Sequence, residues 1–498
     1  MRIFMLGWEF PPFITGGLGT ACHGLTKAMD ARGLKITFVM PGATDPTASS
    51  HVDLLSPKSV GAPTTPEPAI ELDENFEPIA PLPDAAPLPR IPIKGTPPGA
   101  EEFSSGIEFV HLPVQMSHPY DPEAADVPVG EIGTAPNMTS PSDPTNQTQL
   151  PPTSDTDEAV VALSTPTARA ECETTSEAPA PPPPKSTDYG GDIMNDVRRF
   201  AAFALQAADT REFDVIHAHD WMTYPAGLAV ARRTGKPLVV HVHSTEFDRS
   251  GEQVNQRVYD IERRGMHGAI RVITVSRLTR NIVIRRYGVN PDKVSVVYNG
   301  VAIDPIATGV RPIGRREKIV LYFGRITRQK GPEYFIRAAA RVLQVESNVR
   351  FIVAGSGDLY RRCIELAAEL GIGQHFLFTG FLRGADIDKI FAMADLFVMP
   401  SVSEPFGIAP LEAMGHDVPV LISKSSGASE VITHALKVDF WDTEAMADKI
   451  VAVLRHPPLG QTLRRHGVID IRRLTWDDAA DRCERVYNEV IAAMDSAI

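Results

Sequence analysis

Two glutamates, Glu404 and Glu412, stand with seven residues between them in the stretch SEPFGIAPLEAM. Pro405-Phe406-Gly407 reads as a turn, so Glu404 falls on a loop and Glu412 one to two turns inside the following helix. A carboxylate so placed can accept both hydroxyls of a ribose, because a cis-diol offers two donors to two oxygens. The amides near Gly407 and Ile408 open that helix, where unpaired N–H groups and the dipole favour an anion. The bland reading is two acidic residues that only complement the dipole.

Upstream, LYFGRITRQKG sets Arg325 and Lys330 behind an apolar strand and just before Gly331-Pro332. Two cations at a strand end suit a diphosphate whose charge grows as it leaves. In water they would be an ordinary basic loop. Near the N-terminus, GWEFPPFITGGLGT puts Gly16 and Gly17 between the strand RIFMLG and a helix. Paired glycines let backbone approach a phosphate, although the spacing is not the dinucleotide pattern.

Two HxH pairs complete the set: His217-Ala-His219, followed by Asp220-Trp221, and His241-Val-His243. Residues at i and i+2 of a strand share a face, so each pair can ligate a metal. A zinc or iron hydrolase is therefore a rival class, but it leaves the glycine loop and the two glutamates unexplained.

The elements that must hold these residues alternate. Strand, glycine loop, helix and strand fill residues 1 to about 42, and a parallel α/β series resumes near Tyr189. A second series begins near Lys318, and the helix WDDAADRCERVYNEVIAAM follows it. The expected architecture is α/β, with two Rossmann-like domains facing across a cleft: residues 1–300, 301–474, and a helix over 475–498 returning to the first domain. Between them in sequence lies a different composition. Roughly two-thirds of the 43 prolines fall in about 43–187, which predicts a largely disordered insertion; GIEFVHLPVQM, 106–116, is its one strand-like island.

At 498 residues the chain has room for two cores, and a formal charge of -13 argues against nucleic-acid binding. Four scattered cysteines form no disulfide framework, and MRIFMLGWEF reads as a buried first strand instead of a signal peptide. No apolar run is long enough to span a bilayer. The expected location is cytoplasmic.

GR-x4-KG followed by E-x7-E, with GGLG ahead of them, closely resembles the retaining GT-B glycosyltransferases, family 4 and the related glycogen and starch synthases. The resemblance covers about 1–42 and 189–498. It implies a nucleotide-sugar donor (UDP-, ADP- or GDP-hexose) held mainly by the second domain, and a hydroxyl acceptor held mainly by the first. By motif position, Arg325 and Lys330 hold the diphosphate, Glu412 the ribose, and Glu404 the donor sugar. His243 matches the histidine beside the reacting sugar, and Gly16, Gly17, Gly407 and Ile408 complete the donor side. Glu9, Asp220 and Trp221 resemble acceptor-side positions. No cofactor and no essential metal are implied. Bacterial glycogen and starch synthases carry a lysine two residues before the glycine pair; here that position is Ile14, so sugar, base and acceptor stay open. A nucleotide-sugar epimerase that is non-hydrolysing, or a non-catalytic nucleotide-sugar-binding protein, would share the architecture.

Overall fold

In the computed structural model, residues 1–11, 17–41, 54–55, 107–112, 193–302 and 317–496 are described. Strand β1 (Arg2–Leu6) leads through the glycine loop to α1 (Gly17–Ala31) and β2 (Lys35–Pro41). Two short strands follow, β3 (Leu54–Leu55) and β4 (Ile107–Leu112), then α2 (Ile193–Asp209) and β5 (Val215–His219). Next come α3 (Tyr224–Thr234), β6 (Leu238–Val242), α4 (Glu246–Ser250) and α5 (Gln256–Gly268). The first sheet closes with β7 (Arg271–Thr274), α6 (Arg277–Tyr287) and β8 (Val294–Val296).

All eight strands pair in parallel, in the order β3-β4-β2-β1-β5-β6-β7-β8. The strand-like island in the insertion is β4. A second short piece of the insertion, which the sequence reading did not single out, also joins the sheet: Leu54–Leu55 pair with β4 as an edge strand. The run HVDLL contains no proline, so its amides are free to join a ladder. The rest of the insertion, with its expected disorder, lies outside the described residues, as do Ile14 and Gly16.

The second sheet begins with β9 (Lys318–Phe323), α7 (Pro332–Val345), β10 (Val349–Ala354), α8 (Tyr360–Glu369) and β11 (Phe376–Gly380). It continues through α9 (Ala385–Met393), β12 (Leu396–Met399), α10 (Ala409–Gly415) and β13 (Val420–Ser423). The short α11 (Ala428–Val431) and β14 (Leu436–Val438) complete it, followed by α12 (Thr443–Arg455), α13 (Pro457–Ile471) and α14 (Trp476–Asp495). Its order is β11-β10-β9-β12-β13-β14.

Each sheet is buried on both faces because its strands alternate between two cores. Phe4 and Leu6 enter one core with α2 and α3, while Ile3 and Met5 enter another with α1 and α14. In the second sheet Val320 and Tyr322 face α7 and α12, and Ile319 and Leu321 face α10. A parallel strand covered on both sides must be apolar at nearly every position, as KIVLYF is. Helix α14 lies against α1, where Arg32 pairs with Asp481 and Glu484, and its Cys483, Tyr487 and Val490 fill the core beneath β1.

Both sheets reverse their winding once. In the first, the chain runs outward from β1 to β2, then returns to β5 on the other side of β1; in the second it returns from β11 to β12 beside β9. Such a reversal leaves a crevice at the carboxyl ends of the two central strands, where ligands bind in open α/β sheets.

Candidate active site

The sequence motifs fall at these two reversals. Arg325 and Lys330 follow β9, and Glu404 follows its neighbour β12. Lys330 ends a 3-10 turn, Arg328–Lys330, and Gly331 then turns the chain into α7 with φ of 65°. A Cβ at Gly331 would stand 2.2 Å from the Pro400 carbonyl oxygen, so only glycine lets the two loops close together. That closeness brings Lys330 Nζ to 2.6 Å from Glu404 Oε2, which also accepts from Ser401 Oγ at 3.0 Å.

The backbone of Glu404 is strapped on both sides. Its amide donates to Ser425 at 3.0 Å, its carbonyl accepts from Gly427 at 2.9 Å, and Val402 donates to Gln329 at 2.9 Å. Glu404 is buried, yet its carboxylate stays paired, the condition under which burial of a charge is tolerated. Gly407, at φ of 96°, completes the turn before α10; a Cβ there would lie 3.1 Å from Glu404 Cγ. Ile408 caps α10, and its carbonyl accepts from Glu412 N at 3.1 Å.

Glu412 is half-buried in the first turn of α10. Burial, with the Asp388 carboxylate adding to it, pushes its carboxyl up to about 7. Arg325 is half-buried, and the buried Tyr322 hydroxyl donates to its carbonyl at 2.9 Å. Gly17 opens α1 with space around its Cα.

The first sheet contributes the histidines. His219 and His241 pair across β5 and β6, and His217 and His243 extend the same face. The four rings form a column, three of them buried and His243 half-buried: His217 stacks on His219 at 4.3 Å and His241 on His243 at 4.2 Å between centroids. His217 Nδ1 bonds the Tyr487 hydroxyl from α14, and His219 Nδ1 lies 2.9 Å from His243 Nε2. Burial lowers His217 and His243 to about 3 and holds His219 and His241 well below the usual imidazole range. The column is therefore neutral at pH 7.

Nitrogens of His217, His219 and His241 lie within 4.8 Å of one another. Two of the nitrogens in this group are already engaged, His217 Nδ1 by Tyr487 and His219 Nδ1 by His243.

Asp220 holds the His243 segment in place. It sits at φ of 59°, a conformation that aspartate tolerates better than most residues, and Oδ1 accepts from His243 N at 2.7 Å and Ser244 N at 3.3 Å. Its carboxyl is pushed up to about 7 by burial, partly offset by the His243 amide and Arg249. Glu9 is buried nearby: with Asp220 it adds to the burial that raises the Cys22 thiol. Trp221 is buried in the core with α2 and α3.

Two further residues join the halves. Ser403 Oγ donates to Asp248 Oδ1 at 2.6 Å, and Asp248 Oδ2 accepts from the Thr245 amide at 2.8 Å and hydroxyl at 2.7 Å. Sequence reasoning missed this pair. The signal was faint: short hydroxyl residues flanking Glu404, and a Thr-x-x-Asp capping box after VHVHS.

Two doubly wound parallel sheets, with cationic loops at one reversal and the His217–His219 pair ending β5 at the other, have the architecture of the GT-B fold. The sequence model described as "Glycosyl transferases group 1" matches residues 309–467, "Glycosyltransferase Family 4" matches 157–305, and "Starch synthase catalytic domain" matches 2–68. An uncharacterized glycosyltransferase of Methanocaldococcus jannaschii is 33% identical over 304 residues, covering 57% of this chain and 77% of the relative. A D-inositol 3-phosphate glycosyltransferase of Catenulispora acidiphila is 27% identical over 326 residues, covering 60% and 78%. Among solved structures, sucrose-phosphate synthase from Thermosynechococcus elongatus superposes with a TM-score of 0.65 at 18% identity, over 99% of this chain and 100% of that one. Anabaena HepE in complex with UDP and glucose gives 0.52 at 23%, over 59% and 82%. The chain belongs to the GT-B glycosyltransferases of the family 4 and glycogen-synthase-like type. Among the described residues, no helix is long and apolar enough to cross a membrane.

Proposed function

We propose that this glycosyltransferase moves a hexose from a UDP-, ADP- or GDP-sugar to an acceptor hydroxyl with retention of anomeric configuration. The observation that carries the reading is the contact of Lys330 with Glu404 at the β9/β12 reversal, beside Arg325 and Glu412. The diphosphate lies against Arg325, Lys330 and the first amides of α10, with Gly16 and Gly17 on its other side. Glu412 accepts the ribose hydroxyls, Glu404 holds the sugar, and His243 donates to it. Glu9, Asp220 and Trp221 belong to the acceptor side, Asp220 through the loop that it fixes.

In the reaction the acceptor oxygen bonds to the anomeric carbon on the face from which the diphosphate leaves. The carbon–phosphate-oxygen bond breaks, and the acceptor proton passes to the departing phosphate oxygen. Lys330 and Arg325 neutralise the charge that develops there, so no divalent ion is needed. Glu404 is engaged by a cation and a hydroxyl, which suits an orienting role better than that of a covalent nucleophile.

A screen of nucleotide sugars, in buffer containing a chelator, tests this. UDP-glucose comes first because HepE, of the same fold, was solved with it. Acceptors should include glycogen, maltooligosaccharides and an inositol phosphate, the last from the relatives' names. The expected result is metal-independent transfer with a product of unchanged anomeric configuration by NMR. Inversion, dependence on a divalent ion, or conversion of the nucleotide sugar without acceptor would each overturn the reading, the last in favour of an epimerase.

A further inference from the structure

Among the described residues, His243 Nε2 has a single partner, Nδ1 of His219, 2.9 Å away. One of these two nitrogens must carry the proton between them. The choice is made by the other side of the His219 ring. Its Nε2 is fully buried and has no hydrogen-bond partner. A buried N–H without an acceptor is rarer and costlier than a buried lone pair without a donor. His241, next in the column, has both nitrogens unpartnered and so already carries one such N–H; a second beside it would add to that cost.

We propose that His219 is a positioning residue: it carries its proton on Nδ1, donates to His243 Nε2, and so fixes His243 as the Nδ1–H tautomer whose open nitrogen donates to substrate. Both rings are neutral, held so by burial, so a single proton lies in the hydrogen bond and the tautomer of one ring dictates that of the other. Asp220 supports the same arrangement from the main chain by holding the His243 amide at 2.7 Å. The donor role of His243 toward sugar rests on the function proposed above; the tautomer assignment does not.

The test has two parts. Long-range proton–nitrogen NMR of the full chain labelled with 15N-histidine separates protonated from bare ring nitrogens, with signals assigned by loss in His219→Asn and His243→Asn. The expected spectrum shows both His219 and His243 protonated at Nδ1 and bare at Nε2. Protonation at Nε2 of either ring overturns the proposal. In turnover, His219→Phe keeps the ring stack but removes the donor, and should lower kcat on the order of 10–100-fold, with a smaller change in KM for the donor sugar. His219→Asn, whose amide nitrogen sits near the place of Nδ1, should recover most of that loss. Equal kcat in the Phe and Asn variants, or a change confined to KM, overturns it. If no nucleotide sugar is consumed at all, the proposed function fails, while the spectrum still decides the tautomer.

Discussion

Ser403 and Asp248 lie 155 residues apart in sequence, yet the serine hydroxyl donates to the carboxylate at 2.6 Å. Ser403 immediately precedes Glu404, and Asp248 caps the helix that follows the His243 loop. The bond therefore ties the loop on the second sheet to the loop on the first.

Removing it should loosen both loops together. A hydrogen bond to a charged group contributes about 1.5–3 kcal/mol. If most of that is expressed in positioning, Ser403→Ala should lose about tenfold in kcat/KM. Thermal unfolding should also move down modestly, because the buried Asp248 Oδ1 loses its partner while Oδ2 keeps its bonds to Thr245. Kinetics and melting on the same preparation check this, and unchanged kinetics would show the bond to be incidental.

Lys330 and Glu404 share a contact that substrate must also use. Lys330→Ala leaves a buried carboxylate with only Ser401 beside it, costing about 1–3 kcal/mol of stability. Turnover should fall at least 100-fold, since a cation at the developing charge is lost. Glu404→Gln should keep the fold and lose turnover by a similar factor. Near-normal transfer by both variants would remove the site from this position.

Glu412 predicts a pH effect on nucleotide binding. With its carboxyl raised to about 7 by burial and Asp388, it loses acceptor capacity as pH falls below neutrality. The dissociation constant for the free nucleotide should rise toward tenfold per pH unit below about 7, and Glu412→Gln should flatten that slope. Calorimetry between pH 5.5 and 8 measures it. Asp220 titrates in the same range but remains in the Glu412→Gln protein, so slope surviving there belongs to it. The raised value also gives a stability sign: the native state binds the proton more tightly than the unfolded chain. The contribution is therefore present below the ordinary glutamate range and lost as pH rises through about 7.

Gly331 and Gly33 form a matched pair. Both have positive φ, 65° and 79°, but a Cβ at Gly33 meets nothing within 4 Å. Gly33→Ala should cost only the left-handed strain, about 1–2 kcal/mol. Gly331→Ala must in addition push the Pro400 carbonyl away and carry Lys330 off Glu404. It should lose activity as well as stability, where Gly33→Ala loses stability alone.

Much of the fold was legible because its signals are local. Apolar runs such as KIVLYF and RFIVAG announce buried strands, and the motif residues follow strand ends in sequence as they do in space. Arg325, Lys330 and Glu404 could be gathered from that alone, since the winding reversal brings β9 and β12 side by side. What was not legible depends on register between distant segments. The two-residue β3 is too short to show a period, and β14 is hardly longer. The Ser403–Asp248 bond and the histidine column need both strand pairing and the placement of α14. The HxH spacing spoke of a shared face, but not that the rings would stack.

Helix α14 carries a consequence for biosynthesis. Its Cys483, Tyr487 and Val490 pack beneath β1 and β2, and Tyr487 reaches the His217 ring. The Trp476 ring and backbone sit so close to Gly24 and Gly300 that a Cβ at either glycine would come within 2.2–2.3 Å of them. The first sheet thus borrows a wall that the ribosome makes only after the entire second sheet. Until those residues emerge, the core under β1 and β2 is covered by α1 alone, so the N-terminal half is completed only after the C-terminal half has been made.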